Sequence, residues 1–69
     1  MNKPTLILIG GSGFIGRHLA ADFHQRGWRI LMVSRDPNRA RDSLGSQYEY
    51  INSLKHLYPS IEIDLLINL

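Results

Sequence analysis

There is no cysteine in this sequence, which excludes disulfides, thiolate metal sites and a cysteine nucleophile. A chain that does without cysteine fits a reducing compartment, and the expectation is a cytoplasmic protein. His18, His24 and His56 share no spacing with acidic residues that would hold a metal, so none is expected. Long apolar runs are missing too. Nothing approaches the ~20 residues that span a bilayer. Lys3 followed by Leu6–Ile9 reaches glycine too soon, and without a small-residue cleavage site, to act as a secretory signal. Charge of one sign is scarce: eight Lys and Arg against six Asp and Glu give a formal +2. No basic block of the kind that grips nucleic acid is present. A few placed arginines suit an anionic small molecule better, so neither nucleic acid nor membrane is expected as a partner. The 69 residues allow one small domain. A domain of that size buries only about 60% of its unfolded surface, and it lacks the disulfides or metal that often staple small folds.

What is present is an alternation of element signals. Thr5–Ile9 is a continuous β-branched and aliphatic run ending in Gly10-Gly11, the pattern of a strand buried on both faces. Ile15, Leu19 and Phe23 then recur at intervals of four, with Ala20 beside them and Arg17, His18, Asp22, Gln25 and Arg26 largely opposite. This predicts an amphipathic helix over 14–26. Gly27 can close it in the left-handed conformation, with Trp28 packing back on Phe23. Ile30–Val33 reads as a second strand. Asp36-Pro37 is a helix start, an N-cap followed by proline at the first helical position, and the helix runs to Leu44 before Gly45. Tyr48–Ile51 reads as a third strand, 53–58 as a turn of helix stopped by Pro59, and Leu65–Leu69 as a fourth strand. Glu62 and Asp64 read as a solvated approach to it, and His18 with Asp22 as a surface pair at i,i+4. Strand and helix signals in this order predict an α/β layer on a parallel sheet.

Residues 10–16 read GGSGFIG. They satisfy G-x-G-x-x-G at Gly11, Gly13 and Gly16, and G-x-x-G-x-x-G at Gly10, Gly13 and Gly16. The pattern gains weight because it follows a predicted strand and opens a predicted helix. Glycines there let the chain turn sharply, keep side chains away from a diphosphate and let helix and strand approach closely. The helix start directs unpaired N–H groups and partial positive charge at an anion. Ser12 either hydrogen-bonds phosphate or simply suits the turn. A nucleoside-triphosphate loop is excluded, since Arg17 and His18 stand where Lys and Ser/Thr would follow Gly16.

The end of the second strand carries Ser34 and Arg35. A carboxylate there would accept from the adenosine ribose 2′-hydroxyl, as NAD binders use, whereas Arg35 suits a 2′-phosphate through forked, charged hydrogen bonds. Asp36 lies 20 residues beyond Gly16, but its place before Pro37 suits capping. NADP is therefore expected in preference to NAD.

The segment LILIGGSGFIGRHLAADFHQRGWRILMVSR resembles the amino-terminal part of extended and atypical short-chain dehydrogenases/reductases, the NAD(P)-dependent epimerase/dehydratase-like proteins. DLLINL at 64–69 is similar to the family's fourth strand. The resemblance implies a Rossmann-type parallel sheet of about four strands in the order 3-2-1-4 with crossover helices. It implies a diphosphate over Gly10, Gly11, Ser12, Gly13, Phe14, Ile15 and Gly16, and adenosine contacts near Ser34, Arg35 and Leu69. The family's catalytic tyrosine and lysine lie four apart. Here Ile51 precedes Lys55 by four, and no Tyr-x-x-x-Lys occurs, so no catalytic residue carries over and enzymatic activity is left open. The expectation is a partial, truncated NAD(P)-binding domain over 1–69 that holds the adenosine half of the site and is catalytically silent alone. Its last strand is expected to offer an apolar edge for self-association or docking. The rivals are a non-enzymatic nucleotide-sensing module, a truncated product without independent function, and a flavin-type domain, which would want an acidic residue at Ser34 or Arg35.

Overall fold

The computed structural model describes residues 3–10, 13–57 and 62–69. Its elements follow the expected order. They are β1 (Thr5–Ile9), α1 (Phe14–Gln25), β2 (Arg29–Val33), α2 (Pro37–Leu44), β3 (Glu49–Ile51), a 3₁₀ turn (Leu54–Leu57) and β4 (Leu65–Asn68). The strands form one parallel sheet in the order β3-β2-β1-β4. This is the Rossmann-type α/β arrangement that the alternation and the resemblance imply.

Strand alternation sorts the core into two faces. Leu6, Leu8, Ile30, Met32 and Tyr50 meet Ala20 of α1 and Ala40 of α2 on one face, with Leu19, Phe23, Trp28 and Leu44 packed around them. Ile7 and Leu31 form a second cluster with Ile9, Val33 and Ile51 on the other. Leu6, Ile7 and Leu8 are wholly buried, which is why β1 reads as an unbroken apolar run.

Both helix ends obey their local chemistry. The Trp28 N–H donates to the Phe23 carbonyl and the Gly27 N–H to that of His24, both at 3.0 Å, with Gly27 at φ +91°. This pair of bonds closes a helix on a left-handed glycine. The accompanying apolar contact is the edge-to-face packing of Trp28 on Phe23, with ring centroids 5.0 Å apart. At α2, the Asp36 carboxylate accepts from the Arg39 N–H at 3.1 Å, Pro37 occupies the first turn and Gly45 leaves the helix at φ +105°.

Four expectations need correction. Ile15 is 63% exposed. The buried stripe of α1 is instead Gly16 and Ala20, flanked by Leu19 and Phe23, because only residues without bulk let the helix lie close to the sheet. Asp22 pairs with Arg26 at 3.1 Å rather than with His18, whose ring stands edge-on to Phe14. Asp64 does more than precede a strand. Its Oδ2 accepts from the Thr5 N–H at 2.8 Å, and its own N–H donates to the Thr5 carbonyl at 3.0 Å, which clamps β4 to the start of β1. The third and fourth strands are also shorter than expected, at Glu49–Ile51 and Leu65–Asn68. Tyr58 and Pro59, expected to end the turn after β3, lie outside the described residues.

Candidate functional site

Register builds the site. Ile9 pairs with Val33 and with Asn68, and Val33 pairs with Ile51. The next residue of each strand therefore falls in one row across the carboxyl end of the sheet: Asn52, Ser34, Gly10 and Leu69. Backbone bonds carry the ladder into this row, from Ser34 N–H to the Ile51 carbonyl at 2.8 Å and from Leu69 N–H to that of Ile9 at 3.0 Å. The chain runs from β1 outward to β3 and then crosses back to β4. The order thus reverses beside β1, and open α/β sheets bind ligands at such reversals. At the same end of the sheet, over β1, β2 and β3, lies a cleft of about 390 Å³ lined by Ile9, Gly10, Val33, Ser34, Arg35 and Asn52.

The described part of the glycine turn departs from β1 at Gly10 with φ +74°, a conformation that side chains resist. A Cβ on Gly10 would lie 3.6 Å from the Leu69 carbonyl oxygen, so β4's end closes on the turn. Gly13 is the N-cap of α1 at ordinary φ −80°, with no side-chain cap. A Cβ on it would meet nothing within 4 Å. Internal packing therefore gives no reason for glycine there, whereas an anion held against bare backbone gives one. The first turn of α1 carries no acidic residue. Phe14 and Ile15 are 76% and 63% exposed, and Gly16 is buried against the sheet. Gly11 and Ser12 lie outside the described residues.

The structure brings Ser34 and Arg35 into the same cleft as Gly10. Arg35 is exposed, while the neighbouring Asp36 is committed to capping α2. Among the described residues, the Ser34 hydroxyl makes only long contacts of 3.4 Å with the Asp36 backbone. Asn52 was not singled out from the sequence. Its signal lay in the register, since it is the residue after β3 as Ser34 is the residue after β2. Arg17 turns towards α2 and donates from Nη2 to Ser43 Oγ at 2.8 Å. Among the described residues no group of His, Cys, Asp and Glu could hold a metal, and no helix is long and apolar enough to cross a membrane.

The perturbed titrations lie away from this cleft. The Arg29 guanidinium hydrogen-bonds both carboxylate oxygens of Glu49 across β2 and β3. That bond lowers the Glu49 carboxyl below its ordinary value and raises Arg29 above its own. Burial pushes the Tyr50 phenol up, and its hydroxyl donates to the Gly45 carbonyl.

The model of the NAD-dependent epimerase/dehydratase family matches residues 6–69. The chain belongs to that family. Membership makes a nicotinamide dinucleotide the cofactor class. A comparison with curated proteins finds no match. In structure the chain is similar to a Lactobacillus casei protein known from its crystal structure, with a TM-score of 0.72 and 25% identity. The match covers 93% of this chain and 31% of that one. The family member described here thus spans under a third of its neighbour's length.

Proposed function

We propose that this chain binds NADP(H), as the cofactor-holding portion of an epimerase/dehydratase- or reductase-like protein, without catalysis of its own. The diphosphate lies over Gly10, Gly11, Ser12, Gly13, Phe14, Ile15 and Gly16, facing the amino end of α1. The adenosine end lies against Ser34, Arg35 and Leu69. The observation that carries this reading is the placement of Arg35 in the cleft beside Gly10, with the nearest carboxylate, Asp36, occupied by the helix cap. A guanidinium there matches a 2′-phosphate in charge and in geometry. When bound, the nicotinamide would supply hydride chemistry. This chain's own residues would bind and orient the adenosine half. No Tyr-x-x-x-Lys occurs in it, and no residue here is assigned to proton transfer. The β4 edge, with Leu65 and Leu66 exposed, supports self-association or docking along that strand.

Calorimetric titration of wild type and Arg35→Ala with NADP⁺ and NAD⁺ tests the reading. Loss of charged hydrogen bonds should weaken NADP⁺ about tenfold or more and leave NAD⁺ nearly unchanged. Equal losses for the two cofactors would remove Arg35 from the site.

A further inference from the structure

Arg17 follows the last glycine of the turn and stands in the first turns of α1. Its bond to Ser43 reaches the last turn of α2. Both residues are exposed. Among the described residues this is the one side-chain hydrogen bond that joins the two helices. Most other contacts of α2 gather near its carboxyl end and on its inner face, whereas at its amino end the Ser34 hydroxyl meets the Asp36 backbone at a long 3.4 Å. Leu44 and Ala40 pack into the core, the Tyr50 hydroxyl holds the Gly45 carbonyl, and Arg41 lies over the Tyr50 ring, 5.2 Å from its centre. The opposite end of α2 carries Asp36 and, just before it, Arg35 of the cleft. The eight residues make a rod about 12 Å long. Tilting such a rod by about five degrees shifts its far end by roughly 1 Å, a displacement large enough to spoil an oriented ion pair.

We infer that Arg17 is a positioning residue for the 2′-phosphate end of the cofactor site. Through Ser43 it fixes α2, and with it Arg35, relative to the helix that faces the diphosphate. The inference rests on the NADP reading given above. It assigns Arg17 an indirect part, in contrast to a guanidinium that touches the diphosphate itself.

The test titrates NADP⁺ and NAD⁺ into the 69-residue chain as wild type, Arg17→Ala, Ser43→Ala and the double variant. Each single substitution should weaken NADP⁺ by up to about two- to fivefold, because the coupled loss cannot exceed the net worth of one exposed hydrogen bond, and NAD⁺ by less. The double variant should be no weaker than the poorer single, because one shared bond is lost only once. If Arg17→Ala loses both cofactors while Ser43→Ala loses neither, the inference fails, because Arg17 then meets the diphosphate directly. Unchanged NADP⁺ binding in both single variants also rejects it. Amide hydrogen exchange supplies a readout that needs no cofactor. Exchange over 35–39 should quicken in both single variants while β1 and β2 stay protected. A wild type that binds neither cofactor removes the NADP reading, and unaltered exchange over 35–39 separately removes the tether.

Discussion

The two ends of this sheet are built on opposite plans. At the amino end the chain satisfies its own polar groups. Thr5 is clamped by Asp64 through both backbone and carboxylate, the Arg29 N–H donates to the Pro4 carbonyl at 2.8 Å, and the Arg29 guanidinium binds Glu49. At the carboxyl end the strands finish in a row of Gly10, Ser34 and Asn52, with Arg35 beside them, around an open cleft. Among the described residues, the Arg35 guanidinium makes no hydrogen bond or ion pair there. The lesson is a division of labour. One end's charges close the fold, whereas at the other end the Arg35 charge stands unpaired among the described residues.

The largest effect should come from filling the open end. Gly13 has ordinary φ and empty space where a Cβ would go, so Gly13→Val should fold. Its side chain would occupy the place proposed for the diphosphate. A steric cost of about 1–3 kcal/mol corresponds to roughly a five- to 150-fold loss of NADP⁺ affinity, read by calorimetry on the folded protein, while the poorer N-cap lowers the thermal midpoint by only a few degrees. Retained affinity would break the comparison at once, since the open end would then not be a site.

Asp64→Ala should do the reverse. Removing the carboxylate leaves the Thr5 N–H without that partner and should cost about 1–2 kcal/mol of stability. Urea denaturation would measure it. Cofactor affinity of the folded fraction should hold. A binding defect as large as that of Gly13→Val would mean that the two ends are not independent.

The smallest effect belongs to Glu49. The pair with Arg29 is about half exposed, so solvent screens it and Glu49→Gln should cost about 0.2–1 kcal/mol. Because Arg29 holds the folded-state carboxyl below its unfolded value, the pair's stability is present above the ordinary carboxylate range. It disappears as pH falls through the depressed folded value. Denaturation curves of wild type and Glu49→Gln should therefore converge on acidification and draw together in high salt. A gap that persists in acid would assign the effect to packing.

Much of this was legible beforehand, and for local reasons. The bonds that close α1 at Gly27 and start α2 at Asp36 involve residues within five positions of one another, so sequence order alone specifies them. The burial of β1 was equally plain, because a strand covered on both faces has no polar position to disguise it. Ile15 misled, since helical spacing cannot tell a core stripe from an apolar residue at a helix start beside a glycine turn. Asp64 and Asn52 were opaque for another reason. Asp64 acquires its role from Thr5, 59 positions away, and Asn52 from register with Ser34.

By itself, then, the sequence determined the kinds of element, their order and the bare bend after β1, because dihedral preference, capping and apolar periodicity act over a few residues. Only the tertiary structure decided which further residues share a space: Asn52 with Gly10 and Arg35, Arg17 with Ser43, Asp64 with Thr5. Those juxtapositions depend on how four strands align, and alignment is a property of the packed sheet that no single segment carries.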